Sequence, residues 1–105
     1  MKNITQQAIK ALGARQNFNL ANTQVTVYGG EANLILHGSE IARLTADGKL
    51  FITTAGWNTG TTFERLRHLP GVSIQTIKGV TYLNGKAWNG QWIEVSERVG
   101  NQLSK

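Results

Sequence analysis

The sequence predicts an α+β fold: an N-terminal helix, an antiparallel β-meander, one central helix and a second short β-meander. Three observations carry this. Apolar residues recur at helical spacing in only two short stretches. Between and after those stretches the period falls to two. Turn pairs such as Gly29-Gly30, Asp47-Gly48, Lys78-Gly79, Asn84-Gly85 and Asn89-Gly90 punctuate the strands so closely that neighbours must pair antiparallel.

The first helix is expected over Asn3–Arg15. Ile4, Ala8, Ala11 and Leu12 share a face, Asn3 is a good N-cap with Gln6 three residues on, and Gly13 marks the stop. The polar, Asn-rich stretch from Gln16 to Asn22 reads as loop. From Gln24, Val25 and Val27 alternate with Thr26, and the strand reaches Tyr28. Ala32–His37, Glu40–Ala46 and Lys49–Thr54 follow as strands, with Gly38-Ser39 as an additional turn. Ala55–Gly60 breaks the pattern. Thr61 and Glu64 then fit a capping box for the central helix, with Phe63, Leu66 and Leu69 toward the sheet. Pro70-Gly71 ends the helix. Val72–Thr76, Val80–Leu83, Lys86-Ala87-Trp88 and Gln91–Val95 make the second meander, and Ser96–Lys105 reads as a polar, fraying tail.

The length of 105 residues supports a single domain over 1–105, since domains commonly run to roughly 100–150 residues. With no Cys, neither a disulfide framework nor a thiolate metal site is available. No apolar run approaches the ~18–20 residues that cross a membrane, so no membrane partner is expected. Eleven Lys and Arg against six Asp and Glu leave a net charge of +5, spread along the chain without a cationic run.

Groups able to do chemistry are few. Asp47, the only Asp, belongs to a hairpin turn that it stabilises through its own backbone. The spacing of Glu31, Glu40, Glu64, Glu94 and Glu97 brings no two carboxylates together. His37, Ser39 and Glu40 hold a base, a hydroxyl and an acid, but neighbouring positions around a tight turn do not converge as a triad must. His68 is the second and last His. No catalytic residue, metal site or cofactor is therefore expected, and the protein is read as not an enzyme. One stretch has the form of a phosphate cradle: a Gly-rich turn entering a helix, with Gly56, Gly60, Thr61 and Thr62 as candidate anion-binding residues. It lacks the Lys-Ser/Thr of a P-loop, and a plain strand-to-helix connection explains it as well.

The remaining candidates are aromatic and basic. Trp57, Trp88 and Trp92 lie near predicted loops, where an indole either covers the core or offers a contact surface. If the central helix packs through Phe63 and Leu66, Arg65 and Arg67 point to solvent beside His68. Trp57, Arg65, Arg67, Trp88 and Trp92 are the expected partner-binding residues.

Two segments carry a resemblance. One runs from Gly48 through Thr53-Thr54-Ala55-Gly56-Trp57 to Thr61-Thr62 and Arg65-Leu66. The other is Gly79-Val80, then Tyr82-Leu83-Asn84-Gly85, then Trp88-Asn89-Gly90. Together they resemble a group of small tailed-bacteriophage proteins with an AGWxTxTT strand-to-helix segment and a YLNGxxWxG hairpin. The likeness covers about half of the chain, from residue 33 onward. It departs where members place Asn after Arg-Leu, because Arg67 stands there. The group brings no assigned activity. It implies a phage protein acting in the bacterial cytoplasm. By analogy with other small phage proteins, it implies a non-enzymatic accessory that binds and modulates or inhibits a host macromolecule, a host protein or protein complex, such as a CRISPR defence system. The alternative is a nucleic-acid-binding module using a basic and aromatic surface, with affinity that falls steeply with salt. Exposed meander edges would also serve a homodimer.

Overall fold

Asn3 opens helix α1 (Ile4–Ala14) by accepting the backbone N–H of Thr5 at 2.7 Å and of Gln6 at 3.4 Å through its side chain. The helix runs past Gly13 and ends at Arg15, which adopts the left-handed conformation with φ 53°. That conformation is unfavourable for Arg, and its side chain offsets the cost. Nε donates to the Gly30 carbonyl at 3.0 Å and Nη2 to the Thr45 carbonyl at 2.8 Å, tying the helix end to two hairpin turns. The buried face consists of Thr5, Ala8, Ala11 and Leu12. Ile4 is only half-buried, so the helix is rotated to bring Thr5 inward.

The computed structural model describes residues 3–95; the predicted tail, Ser96–Lys105, and Glu97 within it lie outside them. Strands β1 (Phe18–Leu20), β2 (Thr23–Tyr28), β3 (Glu31–Leu36), β4 (Ser39–Leu44) and β5 (Leu50–Ile52) form an antiparallel meander. Its inner face presents Val25, Ala32, Leu34, Leu36, Ala42, Leu50 and Ile52 to the helices. Helix α2 (Gly60–Arg67) follows and buries Phe63 and Leu66, with Leu69 just beyond. Then β6 (Ile74–Ile77), β7 (Val80–Leu83) and β8 (Lys86–Ala87) make a three-stranded sheet, and β9 (Ile93–Glu94) closes the described chain. One hydrophobic cluster runs through α1, the large sheet, α2, Ile74, Leu83 and Val95. The α+β class and the order of helix, meander, helix and second small sheet are as expected.

Three departures have physical causes. The expected loop at Gln16–Asn22 contains β1, because a tight reversal at Ala21-Asn22 lets Phe18 and Leu20 pair with Val25 and Thr23. Backbone pairing there overrides the polar composition. The last strand does not complete the second meander. It returns to the first sheet, where Ile93 faces Ile52 and Glu94 faces Phe51, and the sheet order becomes β1-β2-β3-β4-β5-β9. Thr59, not Thr61, caps α2, its hydroxyl accepting the Thr62 N–H at 3.3 Å.

Glu64 is therefore free of the capping box and takes part in a buried polar cluster. Arg65, expected to face solvent, is only 7 % exposed and occupies the centre of that cluster. Its Nη1 donates to Thr5 Oγ1 at 2.7 Å and to Glu64 Oε1, its Nε to Thr23 Oγ1 at 3.2 Å, and its Nη2 to Asn22 Oδ1 at 3.4 Å. Thr5 in turn donates to Glu64 at 2.7 Å, and Thr23 to Asn22 at 2.8 Å. Helix α1, the β1–β2 turn and α2 thus meet on one guanidinium, whose flat fork can serve several acceptors at once. Burial disfavours ionisation of Glu64, but hydrogen bonds from Thr5 and Arg65 and the Arg65 charge outweigh it. The carboxyl is held below its ordinary 4.5.

Truncation of Arg65 to Ala is expected to destabilise the protein by about 3 kcal/mol in urea denaturation. That is the low end for a broken buried pair, because Glu64 retains some contact with water. Arg65→Lys should recover only part of the loss. Since the folded pKa of Glu64 lies below its unfolded value, its contribution is fully present above pH 4.5 and is lost as pH falls through the folded pKa. Glu64→Gln should flatten that acid limb of a stability-against-pH curve.

Candidate functional site

The connection from β5 to α2 begins with a tight turn. Thr54 accepts the Trp57 N–H at 2.8 Å, and both central residues, Ala55 and Gly56, have positive φ. Gly90, 36 residues further along the chain, packs directly against it. Its carbonyl accepts the Thr54 N–H at 2.9 Å, the Thr53 hydroxyl at 2.6 Å and the Thr54 hydroxyl at 3.4 Å. Gly90 has φ +89°, and a Cβ built on it would collide with Thr54 Oγ1. The position thus demands Gly twice, for its backbone angle and for the space.

This junction forms the floor of an open cleft of about 620 Å³, lined by residues 53–56 and 58 on one side and 89–92 on the other. No ionisable side chain lines it. Its polar groups are the amides of Asn58, Asn89 and Gln91, the two threonines and exposed backbone. Asn89 Oδ1 accepts the Gln91 N–H at 3.1 Å and stiffens the rim. Trp92 is part of the lining. The Arg43 guanidinium lies 5.0 Å from its ring centroid, a cation–π contact. Glu40 holds Arg43 through two bonds of 2.9 Å and also accepts from Asn33. The hydrogen bonding of Arg43 to Glu40 and the Glu40 charge, opposed by burial, push the Arg43 guanidinium above its ordinary value.

The expected contact residues divide between surface and interior. Trp57 is 54 % exposed and Trp92 45 %. Trp57 is anchored by donating Nε1–H to Ser39 Oγ at 3.3 Å. Trp88 is half-buried against the core and donates Nε1–H to the Gln91 carbonyl at 2.9 Å, supporting the cleft from behind. Arg67 is exposed, with Nε donating to the Ile74 carbonyl at 3.0 Å. Arg65 is interior and leaves the surface set. The four candidate anion-binding residues are not gathered. Gly56 lies in the cleft, whereas Gly60 and Thr61 sit exposed at the start of α2. Thr62 is buried, with its N–H on Thr59 and its hydroxyl 3.1 Å from the Thr59 hydroxyl.

Groups weighed for chemistry go to separate partners. His37 Nε2 lies 3.3 Å from Asn22 Nδ2, Ser39 serves Trp57, and Glu40 serves Asn33 and Arg43. Asp47 accepts from the Thr45 hydroxyl, which holds its carboxyl below the ordinary value, in keeping with a turn role. His68 Nδ1 lies 2.8 Å from the Glu64 carbonyl oxygen. Among the described residues no three His, Asp or Glu side chains come together, and no helix is long and apolar enough to cross a membrane.

Both segments that carried the phage resemblance therefore meet at one place, the AGW turn on one wall and the Trp88-Asn89-Gly90 loop on the other. The family model described as Kyanoviridae Gp96 protein matches residues 1–99. The chain belongs to the Kyanoviridae Gp96 family, a phage protein family. The match takes in α1 and the first strands, which the resemblance from residue 33 onward did not reach. No curated protein and no solved structure matches this Gp96 family member. Asn58, Gln91 and Arg43 escaped the sequence reading. Asn58 fell in the break at Ala55–Gly60 and Gln91 at the start of an expected strand, where nothing local marks either as part of a site, and the stacking of Arg43 on Trp92 depends on a strand return that local pattern does not encode.

In this Gp96 family member, Gly90→Ala is expected to cost about 2 kcal/mol through strain and collision. In native-state hydrogen exchange it should release protection of the Thr54 and Trp57 amides while leaving β2 and β3 protected.

Proposed function

We propose that this phage protein is a non-enzymatic accessory that acts in the host cytoplasm by binding and modulating or inhibiting a host macromolecule, a host protein or protein complex. The observation that carries this reading is the pair of half-exposed indoles, Trp57 and Trp92, each held from behind by a partner of its own, Ser39 and Arg43. An exposed Trp costs solvation, and one that is also immobilised has already lost the rotamer freedom that binding would otherwise remove. Rigid aromatic side chains of this kind anchor protein interfaces. Trp88 contributes indirectly, by supporting the loop that presents Trp92. Arg67 remains a rim contact. Burial of Arg65 removes the centre of the supposed basic helix face and weighs against the nucleic-acid alternative.

Immobilised protein incubated with lysate of the bacterial host is expected to retain one specific partner. A Trp57→Ala/Trp92→Ala variant with unchanged melting temperature should bind it about 30-fold more weakly, as for loss of an interface anchor worth ~2 kcal/mol. Equal retention by the variant, or retention only of nucleic acid that high salt removes, would overturn the reading.

A further inference from the structure

We propose that the cleft between the Thr54–Trp57 turn and the Asn89–Trp92 loop binds a neutral saccharide unit. This goes beyond the proposed function; the two share Trp92, but the sugar reading rests on the neutral lining and the amides of Asn58, Asn89 and Gln91, which the partner reading does not use.

Charge narrows the ligand first. None of the lining side chains ionises, so the cleft holds nothing to compensate a phosphate, carboxylate or ammonium group drawn out of water. Hydrogen-bonding capacity narrows it further. Asn58 and Gln91 make no side-chain hydrogen bond to the described residues, and Asn89 has committed only its oxygen, leaving its NH₂ to donate. Three amides, each able to offer a donor or an acceptor, suit neighbouring hydroxyls that both give and accept. A purely apolar ligand would strip these amides of water and return nothing.

The third requirement is a flat surface. Trp92 lines the cleft and is 45 % exposed, with Arg43, oriented by Glu40, over its ring. A pyranose presents an apolar face of C–H groups, which packs on an indole while its hydroxyls reach sideways to the amides. A nucleobase could also stack, but the cation beside Trp92, Arg43, is already paired with Glu40, and the lining itself offers a phosphate none. The cleft is also preorganised. Three bonds to the Gly90 carbonyl and the Asn89–Gln91 contact hold both walls before any ligand arrives, so little ordering cost is added on binding. An open cleft of about 620 Å³ accommodates one or two sugar rings.

The test is titration of ¹⁵N-labelled full-length protein with chitobiose and with maltotriose. Each titration runs to about 20 mM, enough to approach saturation of a site of millimolar Kd. At least one sugar should produce saturable shifts confined to the amides of Gly56, Asn58, Gly90 and Gln91 and to the Trp92 indole. Trp92→Ala should abolish these shifts. That variant also releases Arg43, so Asn58→Ala and Gln91→Ala are the cleaner probes. Their side chains support nothing else in the described structure, and each should weaken binding about fivefold without moving the melting temperature. Glucose 6-phosphate should bind more weakly than either sugar. The proposal is overturned if neither sugar shifts the cleft amides, if the shifts survive both amide variants unchanged, or if oligothymidylate moves the same amides at lower concentration. Because the titration involves no host lysate, its outcome is separate from that of the partner capture.

Discussion

A single buried guanidinium holds the two helices and the sheet in register. Arg65 reaches from α2 to Thr5 on α1 and to Asn22 and Thr23 at the start of β2, with Glu64 alongside as counter-ion. The chain is small and its core modest, so a charge inside it has to be matched closely. It is matched: among the described residues no buried side-chain nitrogen or oxygen lacks a hydrogen-bond partner. The consequence for function lies in what the cluster positions. Helix α2, which Arg65 ties to α1 and β2, begins after its cap Thr59, directly following the AGW turn that leaves β5.

The second constraint is the contact of Gly90 with Thr53 and Thr54. It works at close range, backbone on side chain, where no residue with a Cβ can stand. At this contact the chain after β8 leaves the small sheet. It turns back, adds β9 beside β5 and buries Val95 under the large sheet, where its N–H finds the Leu50 carbonyl at 2.8 Å. The same junction creates the cleft and sets Trp92 over Arg43. Stability of the C-terminal return and geometry of the candidate site are thus one property.

Much of the fold was legible. Alternation in β2 and β3, the Gly-containing turns and the Asn3 cap act through nearest neighbours, so local pattern reports them faithfully. Errors came where long-range contacts override local preference. The capping box at Thr61 and Glu64 was plausible on spacing, but Glu64 finds a better partner set in Thr5 and Arg65, and Thr59 takes over the cap. Arg65 looked like surface because one-face logic assigns a cation to water. Its partner Thr5 is 60 residues away in the chain, and no periodicity links them. At the candidate site the loop positions of the three Trp left burial and exposure open; the structure exposes Trp57 and Trp92 and packs Trp88 against the core, and neither the neutral lining nor the Arg43 brace was legible.

From sequence alone the chain is bound to be α+β, to fold without cysteine chemistry and to carry few groups for catalysis, because composition, periodicity and turn residues are local properties. Tertiary structure decided which charges are interior, where the last strand pairs and which loops face each other. Those outcomes depend on contacts between residues 36 to 60 positions apart, and the free energy of such contacts exists only once the chain has closed on itself.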